Sequence, residues 1–515
     1  MQLGRSIANA LSALWFGRAV GIAMSLALIP IMFRNIAQDE LGVWLLMGQV
    51  GAIIMLMDFG VTNVLMRRIA MTSAQHCPGT EVADLLASGR PLYVGAAALV
   101  LLTSLGAGWV FLPRLGLHDA ARVRVGLAWS ILCVSYAYNV FGAMWTAVIS
   151  GLGYVATASL LTTAASLLIC VTQAGSVVLG GGVIALSILT LAGSIIQRRL
   201  TLRVLRSREP LLLSSPGRVR RQLVVRLLHT SARYWLTELG AIALLRTDQI
   251  FIAGYLRPSA IPAYYAAYSV LFSMANAAMV IAEAGSVFVS RIWSADDPKA
   301  VHTLVLRSTC VGLTLMVSGA AMMAVIGDSI ITLWLGPDRF VGRPTLLVFC
   351  IAQILYVQQS LLLNFSRATE NETYAPCYLA AGAVNVGVTW LLVGPLGVLG
   401  VALGTLIAQT LTTSWYVPGS ALRQLHIRVP TYLAEVLAPA AQTGVLTAAA
   451  TSIGALCAQS GSNLERTAAG GLAGSAAVAV GLWFFVFDRE SRSYARHEIA
   501  ALARRLRTKR AEQRT

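Results

Sequence analysis

Charged residues are scarce in this sequence. Asp, Glu, Lys and Arg together make up 12% of its 515 residues, whereas they account for about 25% of an average soluble domain. Hydrophobic residues make up 57% of the chain, and the mean hydropathy is +0.71. A soluble globular fold is therefore excluded, and we expect an all-α integral membrane protein.

The residues from which catalytic and metal sites are usually built are also few. The chain has seven cysteines and six histidines. Apart from Cys77, the cysteines fall inside apolar stretches without the spacing of a metal site or a disulfide framework, and the histidines lie in loops or at the ends of spans. No HExxH, GxSxG or Walker pattern occurs. We therefore expect no catalytic residue, no metal and no cofactor, and we expect that the protein is not an enzyme.

Long apolar stretches recur along the chain, and each can cross a hydrocarbon layer of ~30 Å as a helix. They predict about 14 transmembrane helices. The predicted spans are Ala10–Phe33, Leu41–Met66, Pro91–Pro113, Val125–Ser150, Tyr154–Leu179, Gly181–Gln197, Tyr234–Leu256, Ala263–Val289, Thr309–Leu335, Thr345–Phe365, Tyr374–Val393, Leu396–Trp415, Ala434–Ala458 and Ala468–Phe487.

Basic residues are distributed unevenly between the two sides of the membrane. Connections on the side of the N terminus carry 29 of the 39 lysines and arginines. The opposite connections carry eight, which are Arg34, Arg114, Arg122, Arg124, Arg257, Arg339, Arg343 and Arg466. By the positive-inside rule both termini are cytoplasmic. The net charge of +17 then indicates contact with anionic inner-leaflet lipids, with no need for a nucleic-acid partner.

The sequence repeats itself weakly at a shift of about 220 residues. Trp15 then aligns with Trp235, and Trp44 aligns with Tyr264. A period that holds six spans predicts two six-helix lobes related by a parallel pseudo-twofold axis, followed by two C-terminal helices. The predicted domains are residues 1–197 (N-terminal lobe), 198–233 (basic cytoplasmic linker), 234–418 (C-terminal lobe), 419–488 (two additional transmembrane helices) and 489–515 (basic cytoplasmic tail).

Two stretches resemble a known group of transporters. Residues 40–70 read ELGVWLLMGQVGAIIMLMDFGVTNVLMRRIA, and residues 248–271 read DQIFIAGYLRPSAIPAYYAAYSVL. They resemble the second span, and the seventh span with its following turn, of the polysaccharide-transport branch of the multidrug/oligosaccharidyl-lipid/polysaccharide (MOP) exporter superfamily. This branch contains the Wzx-like O-antigen and exopolysaccharide flippases. The layout of two lobes, a basic middle loop and two trailing helices is similar to that branch over nearly the whole chain.

The resemblance implies a flippase of the bacterial inner membrane that serves lipopolysaccharide or exopolysaccharide biosynthesis. Its substrate would be an oligosaccharide linked to undecaprenyl pyrophosphate, moved from the cytoplasmic to the periplasmic leaflet by alternating access. A proton or Na+ gradient would drive it, and other polysaccharide-assembly proteins are implied partners. A cation-coupled multidrug exporter is the first alternative, and a membrane enzyme or ligase of polysaccharide assembly is the second.

Six of the charged residues inside predicted spans are candidates for a function: Arg18, Asp58, Glu238, Arg246, Asp248 and Glu283. A charge that faces lipid at the centre of a helix costs about 3 kcal/mol or more, so these side chains should face a cavity or one another. Counted from Tyr234, Arg246 is about 18 Å deep and Asp248 about 21 Å, near the midplane. Arg18 and Asp58 are each about 12 Å from the cytoplasmic surface.

These positions suggest two sets of roles. Arg18 and Arg246 are candidate ligands of a pyrophosphate, because guanidinium groups donate to phosphate oxygens in a planar fork. Asn139 and Asn364 are candidate sugar ligands among the amides inside spans, which also include Gln173, Asn276, Gln358 and Asn385. The acids Asp58, Glu238, Asp248 and Glu283 are candidates for ion coupling or gating, with Asp248 as the coupling group. The structural alternatives are an Arg18–Asp58 pair, an Arg18–Glu238 pair across the lobes, and Glu283 as an anchor for Arg246.

Overall fold

The computed structural model describes residues 17, 19–21, 23–24, 26–74, 79–115, 119–210, 212, 217–294, 297–336, 338–369, 373–459 and 462–486. Among these residues 91% are helical and none forms a strand, so the all-α prediction is confirmed. Within the same ranges, 11 helices are long and apolar enough to cross a membrane. The chain is therefore a multi-pass membrane protein.

The α-helices of the described part follow residues 26–35, which are also helical. They are α1 (Gln38–Ile54), α2 (Val61–Ala74), α3 (Gly79–Phe111), α4 (Asp119–Gly151), α5 (Val155–Val178), α6 (Val183–Arg208), α7 (Arg221–Leu245), α8 (Asp248–Tyr255), α9 (Ile261–Ser294), α10 (Pro298–Leu335), α11 (Arg343–Arg367), α12 (Ala375–Leu396), α13 (Val398–Leu411), α14 (Thr413–Gln424), α15 (Val429–Tyr432), α16 (Ala438–Cys457) and α17 (Asn463–Gly481). Single 3-10 turns occur at Met55–Asp58, Leu112–Leu115 and Pro258–Ala260.

The second and the seventh predicted spans are among those that are not continuous helices. The second span is divided into α1 and α2 by the 3-10 turn at Met55–Asp58, and the seventh is divided into α7 and α8 at Arg246 and Thr247. The first predicted span runs beyond the described residues. These three are the spans missing from the 11 long apolar helices, and they are the spans that contain Arg18, Asp58, Arg246 and Asp248. A total of 14 stays a prediction.

The chain divides into two compact units that alternate along the sequence. The first contains Met1–Val270, Trp334–Val348 and Glu372–Trp415, and the second contains Leu271–Leu333, Phe349–Asn371 and Tyr416–Thr515. Within the first unit, one hydrophobic core joins α2, α3 and α4 through residues such as Leu65, Tyr93 and Val148, each at most 1% exposed. The division into two six-helix lobes with a basic linker stays a prediction.

Helices α7 and α12 of the first unit cross at unusually short range. A methyl group on Gly240 of α7 would overlap the backbone of Tyr378 and Leu379, and one on Gly382 of α12 would overlap Ala243. Small residues allow membrane helices to approach until their backbones touch. This contact places Asn385, one turn beyond Gly382, against the end of α7.

Contacts between connections obey the alternation expected of successive membrane crossings. On one side, the carboxylate of Glu40 accepts a hydrogen bond from the Val183 N–H at 3.5 Å. On the other side, the Tyr154 hydroxyl donates to Glu209 at 3.0 Å, and Asp84 accepts from the Arg218 N–H at 2.6 Å. When the connections between predicted spans are numbered along the chain, the first contact joins two odd-numbered connections and the other two contacts join even-numbered ones. Connections of the same parity lie on the same side of the membrane, so these contacts support the predicted order of spans.

The basic segment between the sixth and seventh spans consists largely of the ends of two helices. Helix α6 runs on to Arg208 and α7 begins at Arg221, so most of residues 198–233 is helical. The extended residues 217–220 lie along α3. There the Arg220 guanidinium pairs with the Asp84 carboxylate at 2.6 Å. The backbone N–H of Arg220 donates to the Ser88 hydroxyl at 2.9 Å. These hydrogen bonds and the ion pair hold residues 217–220 against α3.

Candidate functional site

The seventh span is interrupted between its two charged residues. The last backbone bond of α7 runs from the Arg246 N–H to the Ile242 carbonyl at 2.8 Å, and α8 starts with the bond from the Ile250 N–H to the Thr247 carbonyl at 3.0 Å. A continuous helix would have turned Arg246 and Asp248 about 200° apart. The break ends the regular helix between the two residues, and their side chains contact different helices.

A break inside a membrane leaves carbonyl groups without their helical donors, and each must find another partner. Asn385 of α12 supplies it. Its amide nitrogen lies 3.2 Å from the Ala243 carbonyl, 3.0 Å from the Leu244 carbonyl and 3.3 Å from the Thr247 hydroxyl. The Thr247 hydroxyl also donates to the Ala243 carbonyl at 3.0 Å. Asn385 is fully buried, so this amide caps the end of α7 from a neighbouring helix.

The carboxylate of Asp248 is buried beside this cap, with 8% of the residue exposed. The Tyr264 hydroxyl of α9 donates to it at 2.5 Å. The Thr405 hydroxyl of α13 lies 3.2 Å and 3.4 Å from its two oxygens, and 3.4 Å from the Asn385 carbonyl oxygen. Thr405 has a single hydroxyl proton, so it can donate to only one of these acceptors at a time.

Thr389 extends the same network by donating to the Asn385 carbonyl oxygen at 3.1 Å. The result is a cluster of oxygen atoms from one carboxylate, one amide and three hydroxyl groups, which belong to four helices. Among the described residues no group of three His, Cys, Asp or Glu side chains is placed to hold a metal ion. Oxygen atoms of this kind are the ligands that a hard cation prefers, and the carboxylate is also a proton acceptor.

Arg246 lies on the other side of the break and is exposed. Its guanidinium donates one hydrogen bond, to the Gln49 side chain of α1 at 3.4 Å. Among the described residues the structure records no ion pair for Arg246, so most of its five N–H donors remain open to a ligand. Gln49 is about 16 Å from the start of α1, and Arg246 is about 14 Å from the end of α8, which agrees with the predicted depth of Arg246.

Asp58 lies at the break in the other interrupted span, between α1 and α2. Its carboxylate accepts the Gly60 N–H at 2.8 Å, while Phe59 and Gly60 adopt φ angles of 53° and 70°. A carboxylate that binds the N–H two residues further on stabilises a tight turn. The Phe59 ring then packs 5.1 Å from the Trp235 ring of α7. Asp58 therefore shapes the break between α1 and α2.

The remaining candidate residues are not brought together by recorded contacts. Arg18 lies outside the described residues, so its pairing with Asp58 or Glu238 stays a prediction. Glu283 belongs to α9, but its side chain is outside the described part, and its role as an anchor for Arg246 also stays a prediction. Glu238 on α7, Asn139 on α4 and Asn364 on α11 are all half-buried.

Sequence reasoning missed four members of this site: Gln49, Thr247, Thr389 and Thr405. Threonine and glutamine are common in membrane helices, and nothing in their local pattern sets them apart. Asn385 stood among the amides inside spans, and Tyr264 stood in the internal repeat opposite Trp44. Besides the charged residues Arg246 and Asp248, Asn385 and Tyr264 are therefore the members that carried a signal in the sequence.

Solved transporter structures share this fold. The chain matches the lipid II flippase MurJ in an inward closed conformation with a TM-score of 0.70 and 14% identity, over 92% of this chain and 97% of that one. It matches an inward-facing multidrug resistance MATE family transporter of the MOP superfamily with a TM-score of 0.67 and 14% identity, over 78% and 95%. A MOP superfamily transporter from Pyrococcus furiosus matches with a TM-score of 0.57 and 15% identity, over 81% and 95%.

No protein-family model matches the chain, and no curated protein sequence matches it. The structural likeness, at 14–15% identity, shows the fold alone. The chain has the fold of MOP-superfamily transporters, as the resemblance of its second and seventh spans implied.

Proposed function

We propose that this protein is a transporter of the MOP superfamily that flips a lipid-linked oligosaccharide from the cytoplasmic to the periplasmic leaflet of the bacterial inner membrane. The lipid carrier is undecaprenyl pyrophosphate, and the transport mechanism is alternating access driven by an ion gradient. The observation that carries this proposal is the exposed Arg246 guanidinium near the midplane, with one long hydrogen bond to Gln49.

A cation held at this depth without a carboxylate partner is costly in lipid. An anionic substrate would offset that cost, and the oxygens of a diphosphate match the donors of a guanidinium. Arg18 is the second cation in this proposal, and Asn139 and Asn364 are the sugar ligands. Asp58, Glu238 and Glu283 act in gating, through pairs that form and break between states.

Asp248 is the coupling group in this proposal. Its oxygens, with those of Thr405 and Asn385, lie against the cap that holds the helix break together. Binding of a proton or Na+ to the carboxylate would redirect the Tyr264 and Thr405 hydroxyls. Because Asn385 bonds both to this cluster and to the end of α7, such a change would reach the segment that carries Arg246.

The experiment uses the purified full-length chain in proteoliposomes with fluorescent undecaprenyl pyrophosphate monosaccharide as the probe. A membrane-impermeant quencher reports how fast the probe changes leaflet. Replacing Arg246 with Gln removes charged hydrogen bonds worth about 1.5–3 kcal/mol, so the rate should fall roughly tenfold or more. Arg246→Lys should keep part of the rate. The control is Arg203→Gln, an exposed position on α6 that should leave the rate unchanged.

A wild-type rate in Arg246→Gln would refute the diphosphate role. The multidrug alternative is favoured by the buried carboxylate of Asp248, and it predicts that the same vesicles move ethidium under a proton or Na+ gradient and leave the lipid probe in place. The enzyme alternative predicts that mass spectrometry finds the lipid probe hydrolysed or its sugar transferred. Recovery of the intact probe after a change of leaflet supports the flippase.

A further inference from the structure

A cavity of about 680 Å³ opens at the end of the first unit where α1 begins and α8 ends. Its walls come from three connections: the start of α1, the turn between α3 and α4, and the segment between α8 and α9. In the predicted topology these are the first, third and seventh connections, which lie on the outward side. The volume lies within the range of about 300–1,000 Å³ that small-molecule sites occupy.

Three arginines line this cavity. Arg114 lies in the 3-10 turn at Leu112–Leu115, Arg124 lies near the start of α4, and Arg257 precedes the turn at Pro258–Ala260. All three are exposed, and within the described part of the chain no ion pair is recorded for any of them. Three cations around one hollow repel one another unless an anion lies between them.

This grouping is unexpected on the outward side. Only eight of the 39 basic residues belong to outward connections, where insertion disfavours them, and three of those eight meet at one cavity. Arg122 is a neighbour in sequence that does not line it, and its guanidinium instead pairs with Asp119 at 3.7 Å. The cavity therefore brings together three outward arginines for which the described part of the chain shows no ion pair.

The base of the cavity is apolar and closely packed. Val43 is fully buried, Val125 is 3% exposed and Leu115 is 8% exposed. A methyl group on Gly42 would overlap the carbonyl of Pro258, so α1 and the turn after α8 touch through their backbones. The cavity thus has a packed apolar base and arginine side chains in its walls.

Two carboxylates complete the lining and have different roles. Glu40 accepts the Val183 N–H at the start of α6, so it serves as a helix cap. Asp39 is exposed and can accept hydrogen bonds from hydroxyl groups. A lining with guanidinium donors and one available carboxylate suits a ligand that carries both phosphate oxygens and sugar hydroxyls.

We propose that this cavity is a second anion-binding site, which receives the diphosphate of the lipid-linked glycan on the outward side after translocation. The assignment rests on the proposed function for the identity of the ligand. Arg114, Arg124 and Arg257 bind the diphosphate, and Asp39 accepts from the adjoining sugar. The head group then moves from the site at Arg246 to this second cationic site.

The test measures binding of inorganic pyrophosphate to the full-length chain in phosphatidylcholine nanodiscs by isothermal titration calorimetry. Arg124→Gln should weaken binding about tenfold, since one charged hydrogen bond is lost. The triple variant Arg114→Gln, Arg124→Gln and Arg257→Gln should abolish the binding event of this cavity and leave the one that depends on Arg246. The controls are Arg122→Gln, which should bind as the wild type does, and Arg246→Gln, which should retain the binding event that the triple variant loses.

A second arm identifies the source of the phosphate. Undecaprenyl pyrophosphate added to the nanodiscs should compete with inorganic pyrophosphate, whereas phosphatidylglycerol at the same fraction should compete at least tenfold less. Equal competition would assign the cavity to bulk lipid head groups and overturn the proposal.

The outcomes also separate this inference from the proposed function. Wild-type binding in the triple variant, together with loss of flipping in Arg246→Gln, would refute the cavity assignment alone. Loss of pyrophosphate binding in the triple variant, together with normal flipping in Arg246→Gln, would refute the role of Arg246 and leave the outward anion site in place. Equal losses in Arg122→Gln and Arg124→Gln would reduce the cavity to a general charge effect and overturn its assignment as a site.

Discussion

Replacement of Asn385 with Ala tests whether a side chain of one helix holds the break in another. The wild-type amide lies against two backbone carbonyls and the Thr247 hydroxyl, and it accepts from Thr389. Its two N–H groups are shared among three acceptors, so the variant loses at least two donated bonds and one accepted bond.

The size of the effect follows from the energies of hydrogen bonds within membranes. They average about 0.6 kcal/mol with a maximum of about 1.7 kcal/mol, because the unfolded chain in the bilayer also finds partners. Three bonds therefore predict a loss of about 2 kcal/mol for Asn385→Ala. Thr389→Val removes one bond to the same amide and should cost about 0.6 kcal/mol. Val386→Ala changes a side chain that is 40% exposed on the same helix and should have no measurable effect.

The assay is thermal unfolding in detergent, followed by size-exclusion chromatography with fluorescence detection. Since a change of 1 kcal/mol moves the midpoint by about 2–4 °C in domains of 150–250 residues, Asn385→Ala should lower the midpoint by a few degrees. Thr389→Val should lower it by about 1–2 °C. A melting temperature for Thr389→Val as low as that for Asn385→Ala would show that the carbonyls of Ala243 and Leu244 do not depend on the amide, and the reasoning would fail.

Three further predictions concern the frame around the site. Gly240→Leu should prevent α7 from meeting α12 and abolish the monodisperse peak in size-exclusion chromatography, whereas Gly254→Ala, with open space around it, should leave the peak unchanged. Asp84→Ala removes the carboxylate that holds residues 217–220, so trypsin should cut there severalfold faster, while Glu81→Ala, an exposed position on the same helix, should keep the wild-type rate. A variant with Cys457 as its single cysteine should react in intact cells with a membrane-impermeant maleimide, because Cys457 is exposed and its connection is predicted to face outward; reaction only after lysis would reverse the assigned orientation.

The sequence predicted the membrane class and the order of crossings because both depend on properties that are summed over many residues. Apolar length defines a span, and the alternation of connections follows from the number of spans. The contacts of Glu40 with Val183, and of Tyr154 with Glu209, agree with that order. The charged positions Asp58, Arg246 and Asp248 also stood out, because a charge is conspicuous in an apolar window.

The breaks at Asp58 and at Arg246 could not be predicted from hydropathy, since a helix and an interrupted helix have the same composition. The interruption of α7 is stabilised by Asn385, which lies more than a hundred residues away in sequence. Thr405 and Thr389 belong to the site for the same reason. Their roles depend on which helices touch, and Gly240 and Gly382 decide that contact.

The cap on α7 has a consequence for how the protein is made. The segment that contains Arg246 and Asp248 is synthesised well before Asn385. Until α12 is made, the carbonyls at the end of α7 therefore lack the amide that binds them in the folded protein. Domains generally fold in the order of synthesis, but the seventh span cannot reach its final structure until α12 has been made. We therefore expect the seventh span to reach its final structure late in folding. Substitutions in α12 should first reduce the stable membrane insertion of α7, before any loss of transport is measured.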